Sequence, residues 1–121
     1  MSKGRKISMM EQIKQHTSIR KYQDKPIPQQ VMDNIFTAIQ MAPSWINGQQ
    51  YSVIRVTDKG AREQLAALAG NQKYIADAAE FLVFCADFNR IQKACEYEGV
   101  KFEVDSPDFL TIATTDVGIA L

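Results

Sequence analysis

His16, Thr17, Ser18 and Arg20 place an imidazole, two hydroxyls and a fixed cation within one short run. A guanidinium fork matches the oxygens of a phosphate in geometry and charge, so this run is a candidate anion grip. Each charge-assisted bond made there contributes about 1.5–3 kcal/mol. The same residues also fit a capped, solvated loop, with His16 closing the helix before it. A second polar run, Ala42-Pro43-Ser44-Trp45-Ile46-Asn47-Gly48-Gln49-Gln50, holds a hydroxyl and several side-chain amides. Amides offer donors and acceptors to the edge of a heterocycle. A plain polar helix-to-strand connection is the other reading of that loop, and Trp45 reads as a packing or interface residue.

The elements that position these runs follow from periodicity. Met9, Met10 and Ile13 recur at helical spacing over 9–15. Lys25-Pro26-Ile27-Pro28 breaks regular helix, because proline removes a donor and restricts its neighbour. Pro28 then suits the first position of a helix over 28–41, with Val31, Met32, Ile35, Phe36 and Ile39 as its apolar stripe. Residues 51–57 are rich in β-branched types and predict a strand. A short helix over 61–69 closes at Gly70-Asn71, and one or two helical turns follow over 74–80.

Phe81-Leu82-Val83-Phe84-Cys85-Ala86 is continuously apolar, which predicts a strand covered on both faces with Cys85 buried. A helix over 89–98 ends near Gly99. Asp105-Ser106-Pro107-Asp108 is a helix start, with Ser as cap, Pro first and an acid in the first turn. The helix after it carries Phe109, Ala113, Val117 and Leu121 at one-turn spacing and continues to the last residue. Two strands fall short of the ~4–6 of an ordinary sheet. The expectation is therefore a loose extension over 1–8 followed, over 9–121, by the front part of a longer domain.

Composition bounds the function. The 121 residues are 45% apolar and 23% charged, with a formal net charge of zero. That is ordinary globular composition, and it gives no electrostatic support to a nucleic-acid or membrane-surface role. Lys3, Arg5 and Lys6 form a short basic arm that reads as a solvated terminus. No apolar run approaches the ~20 residues needed to cross a bilayer, and no secretory signal is visible. Two cysteines and one histidine make a poor metal set. A reduced, cytoplasmic setting fits best.

Taken in order, His16-Thr17-Ser18-Ile19-Arg20, Pro43-Ser44 with Asn47-Gly48-Gln49, and Gly70-Asn71-Gln72-Lys73-Tyr74 resemble the flavin-dependent nitroreductase family. The likeness is greatest to its oxygen-insensitive NADPH nitroreductase and flavin reductase P branch. The two strand runs, Val53 to Lys59 and Ala78 to Asp87, add to the match, which covers roughly residues 10–121. The resemblance implies an α+β, nitroreductase-like FMN-binding fold: a central, mostly antiparallel sheet flanked by helices. It also implies an intertwined homodimer with FMN at the interface. Carried over to this sequence, contacts to the FMN phosphate and ribityl chain fall on His16, Thr17, Ser18 and Arg20. The usual pattern carries a second Arg where this chain has Thr17, which removes one cation. Ser44, Asn47 and Gln49 match the loop that approaches the flavin, often from the partner subunit. Gln72 matches a position beside the ring system, and Tyr74 one near the nicotinamide side. Members of the family run about twice this length, so the chain matches their N-terminal half.

The activity that the resemblance implies is two-electron transfer from NADPH, or NADH, through FMN to a small-molecule acceptor such as a nitroaromatic, a quinone or a free flavin. Reductant and acceptor would use the same place in turn, so neither a catalytic side chain nor a metal is expected. Two other readings stay open: a truncated, non-catalytic remnant, and a flavin-binding protein without turnover.

Overall fold

The structure is a computed structural model that describes residues 8–103 and 106–121. The expected extension lies outside these residues except for Ser8, as do Lys3, Arg5, Lys6 and Asp105. Ser8 does not belong to a loose extension. It caps the first helix, α1 (Met9–Lys14), by accepting the Glu11 N–H at 3.2 Å. No residue of α1 is buried.

An extended segment leads to α2 (Gln29–Gln40). Pro28 stands just outside this helix and not at its first position, with ψ at 140°. Its carbonyl still receives the first helical N–H groups, from Val31 and Met32. The apolar stripe divides: Met32 and Ile39 are buried, whereas Val31 and Ile35 face outward.

β1 (Tyr51–Arg55) pairs antiparallel with β2 (Leu82–Ala86), with Val53 opposite Phe84 at the centre. Backbone bonds from Asp87 to Gln50 and from Val56 to Phe81 extend the ladder at both ends. Alternation along the strands sends Tyr51, Val53, Leu82 and Phe84 to one face. There they meet Phe36 and Ile39 of α2 and Val117 and Ala120 of the last helix, α6 (Pro107–Ala120). The Tyr51 hydroxyl donates to the Ile39 carbonyl at 2.7 Å, which ties β1 to α2 inside this core.

The run 81–86 does form a strand, but it is not covered on both faces. Its residues are half-buried or exposed, Cys85 among them, because α2 and α6 pack on one side. Ile54 on the alternate face is 53% exposed.

Between the strands lie α3 (Lys59–Leu68) and α4 (Lys73–Asp77). The sequence signal placed the start of α3 two residues late, because Asp58 is its cap and accepts the Ala61 N–H at 2.7 Å. Gly70 and Asn71, both at positive φ, reverse the chain into α4, as the Gly-Asn pair predicts. α4 stops earlier than expected because Ala78 turns extended. Glu80 is thereby free of the helix and pairs with Arg55 through two hydrogen bonds of 2.8 and 2.5 Å. α5 (Asn89–Tyr97) ends at Gly99, whose φ of 67° and the Val100 N–H bond to Cys95 form a Schellman-type close. In α6 the buried positions are Ala113, Asp116 and Ala120; Leu121, expected on the stripe, is 82% exposed. Among the described residues no helix is long and apolar enough to cross a membrane.

Candidate flavin-binding site

The first motif lies on the segment between α1 and α2. His16, Thr17, Ser18 and Arg20 are all exposed. The C-cap of α1 is Gln15 and not His16, whose backbone N–H donates to the Ile13 carbonyl just beyond the cap. Arg20 lines a cavity of about 510 Å³ together with Tyr22 and Asp77. Ile19 and Tyr22 line a larger, mostly apolar cleft of about 680 Å³ that also takes in Tyr74, Ile75 and Phe81. Of the first motif only Ile19 reaches this cleft, where it meets Tyr74 of the third.

Gln72 precedes α4 and is exposed, and its Oε1 accepts the Tyr74 hydroxyl proton. With that acceptor engaged, the Gln72 amide group keeps its two N–H donors for another partner.

The loop between α2 and β1 is built around Ser44. Its Oγ accepts the Gln49 N–H at 2.9 Å, and its carbonyl accepts the Asn47 N–H at 3.0 Å. The hydroxyl proton of Ser44 is left for donation outward. Trp45–Asn47 forms a single 3-10 turn. Three residues of the loop adopt left-handed backbone: Ile46 at φ 49°, Asn47 at 56° and Gln49 at 50°. Asn tolerates this region, but a β-branched residue there is strained by about 1–3 kcal/mol. Gly48 lies directly over the buried Gln50 amide; a Cβ at position 48 would sit 2.4 Å from Nε2.

α6 holds this loop at two points. The Asp116 carboxylate, 3% exposed, accepts the Trp45 N–H with both oxygens at 3.2 Å. The Trp45 ring meets Phe109 edge-on at 6.5 Å, and Phe109 in turn contacts Phe88 and Phe102 at 5.9 and 5.8 Å. Trp45 packs one edge on α6 while 46% of it stays exposed, in keeping with a packing or interface residue.

Gln49 faces another cavity, of about 520 Å³, where its Oε1 accepts from the Arg90 guanidinium at 2.5 Å. Ser52 lines the same cavity and donates to Asp87. That bond, reinforced by the Asn89 N–H at 2.9 Å and the nearby Arg90 charge, holds the Asp87 carboxyl below its ordinary value against the opposing effect of burial.

The expected site residues thus form two groups within this chain. Arg20 and Tyr74 line the clefts beside α4, with Gln72 bonded to Tyr74, and Ser44, Asn47 and Gln49 share the loop against α6; His16, Thr17 and Ser18 line neither cleft. Among the described residues no hydrogen bond joins the two groups. Asp116, Gln50, Asp87 and Arg90 were not singled out from sequence. Only Asp116 left a signal there: an acid set seven residues after Phe109 and three after Ala113, on an otherwise apolar helix face.

The donor set fits FMN. An exposed guanidinium suits a phosphate, while the free Ser44 proton and Gln72 N–H groups suit the mixed edge of a flavin ring.

The sequence model of the nitroreductase family matches residues 13–103. The chain is 45% identical over 108 residues to "FMN reductase [NAD(P)H]" of Bacillus subtilis, covering 88% of this chain and 43% of that protein. The solved structure of B. megaterium NfrA2 superposes with a TM-score of 0.88 at 41% identity, over 92% of this chain and 46% of the other. The NADPH:FMN oxidoreductase of Vibrio harveyi, solved with NAD+, gives 0.85 at 38% identity over 92% and 46%. The chain spans about half the length of the relatives it matches, and its fold is the corresponding part of theirs, a small antiparallel sheet packed on helices. It belongs to the nitroreductase family.

Proposed function

We propose that this chain supplies FMN-binding residues to an NAD(P)H-dependent oxidoreductase that works as a homodimer in the cytoplasm. The approach of the first motif to α4 supports this reading: Ile19 shares one cleft with Tyr74, and Arg20 lines the neighbouring cavity with Asp77 of α4. The printed names of the relatives, an FMN reductase and an NADPH:FMN oxidoreductase, support it. Both described cysteines are free, which fits a reducing compartment.

In this reading Arg20 faces the FMN phosphate, with His16, Thr17 and Ser18 along the ribityl chain. Gln72 donates to the ring edge, and Tyr74 borders the space for the nicotinamide. As the family resemblance implies, Ser44 and Asn47 of the loop reach across the dimer to the second copy's flavin. FMN when bound supplies the two-electron hydride chemistry. Residues of this chain orient it and exclude competing ligands, and the acceptors are nitroaromatics, quinones or free flavins.

The test is flavin affinity. Arg20→Ala should weaken FMN binding at least 10-fold by fluorescence titration, with Arg20→Lys intermediate because it keeps charge without the planar fork. Unchanged affinity in Arg20→Ala would overturn the assignment. Bound flavin without NADPH oxidation in the presence of a nitroaromatic or a quinone would mark a binding protein instead of a reductase.

A further inference from the structure

The loop that carries Ser44 and Asn47 does not hold its own path. Its internal bonds, from Gln49 and Asn47 to Ser44 and from Gly48 to Trp45, close the turn upon itself. None of them fixes the turn to the rest of the fold. Left-handed backbone at Ile46, Asn47 and Gln49 is a shape that a free loop of these residues leaves readily. External holds are needed: Arg90 of α5 supplies one at Gln49, and α6 holds the turn itself through one buried acid and one ring.

Asp116 is unusual among the carboxylates here. It sits at 3% exposure on the face that also buries Ala113 and Ala120. The cost of burying a carboxylate is accepted in folded proteins where its oxygens meet fixed donors. Here the donor is the backbone N–H of Trp45, shared by both oxygens. This N–H is the first of the 3-10 turn and finds no partner within it.

We propose that Asp116 is a positioning residue for the flavin loop. Its carboxylate seats the Trp45 N–H on α6 and thereby presents Ser44 and Asn47 in the orientation that ligand binding needs. The inference rests on the flavin reading of that loop, but the clamp itself is measurable without flavin.

Trp45 is the one tryptophan of the sequence, so its emission reports the loop directly. In flavin-free protein, Asp116→Ala should shift Trp45 emission to the red and raise its acrylamide quenching at least twofold. FMN affinity should fall about 10-fold in the same variant. Asp116→Asn keeps an acceptor oxygen and should leave emission and FMN affinity near those of the parent protein. Val117→Ala, which trims the adjacent core, is the control for general destabilisation: it should lower the melting temperature and leave Trp45 quenching and FMN affinity unchanged.

If Asp116→Ala fails to fold, amide hydrogen exchange in Asp116→Asn decides. Loss of the charge weakens the bond, so the Trp45 N–H should exchange about 10-fold faster while the Val56 N–H in the sheet does not change. Unaltered Trp45 exchange, or equal Trp45 quenching in Asp116→Ala and Val117→Ala, would overturn the clamp. If the clamp holds but Asn47→Ala binds FMN with unchanged affinity, the flavin reading of the loop fails and the positioning of a ligand falls with it.

Discussion

The Ser52 hydroxyl donates to the Asp87 carboxylate just past the end of β2, joining the first strand to the residue that leads into α5. Asp87 is doubly engaged there, because its other oxygen accepts the Asn89 N–H at 2.9 Å. The carboxyl is held below its ordinary value, first by Ser52, then by the Asn89 N–H, with burial opposing and Arg90 assisting. A carboxyl lowered in the folded chain binds fewer protons folded than unfolded, so its stabilisation is complete above about pH 4 and is lost as pH falls through the lowered value. Glu80, lowered by its bonds to Arg55, acts in the same direction. Ser52→Ala should therefore destabilise the protein most near neutral pH, and the difference from the parent should shrink below about pH 4. Urea midpoints measured across pH 3–7 check this; a constant difference would show that Asp87 is not the linked group.

Ile46 should be improvable. It is 65% exposed, so little packing is lost on replacement, and its φ of 49° is a region that Asn occupies readily. Ile46→Asn should stabilise the fold by about 1 kcal/mol through relief of backbone strain. Chemical denaturation measures it, and a loss of stability would mean that the left-handed path is not held in solution.

Gln50 is 1% exposed, and its side-chain oxygen and nitrogen have no partner among the described residues. A buried amide without partners destabilises by about 1–3 kcal/mol relative to a satisfied one. Gln50→Met, of similar shape, should be neutral or stabilising by up to about 1 kcal/mol. A loss above that size would reveal a polar partner for Gln50 in the assembled protein.

Tyr51→Phe removes the bond to the Ile39 carbonyl while keeping the ring in the core. That carbonyl also receives the Ala42 N–H at 3.2 Å, so it is not orphaned. The expected loss is about 0.5–1.5 kcal/mol in a urea melt.

Elements with a strong period were readable in the sequence. α2 declared itself through Met32, Phe36 and Ile39, and α6 through the Ser106-Pro107-Asp108 start. Both strands stood out as β-branched or apolar runs, although periodicity could not say that only one face of β2 is covered. Its apolar residues have the same composition whichever side is packed. Boundaries slipped where a cap outweighed the hydrophobic pattern, at Asp58, or where one residue turned extended, at Ala78. The three motifs stood out in the sequence only through their order and their resemblance to the nitroreductase family, because each one alone also fits a solvated polar loop. Ser44's double role as acceptor was hidden, since it depends on the left-handed turn at Ile46 and Asn47, and nothing in the type of Ile46 foretells it. Asp116 went unremarked in the sequence, one acid among the apolar positions of its helix. Its meaning came from Trp45, which is remote in the chain.

Phe109 and Asp116 stand two helical turns apart, about 10 Å along the α6 axis. A single contact would let the helix pivot beneath the loop, whereas two so spaced transmit both sliding and rotation. Leu110 and Ile119, 61% and 53% exposed, project from opposite sides of α6, about half a turn out of phase. The sheet packed against Val117 and Ala120 sets the axial position of the helix, and with it the height at which Ser44 and Asn47 stand. The helix is in this sense a strut between the sheet and a polar loop.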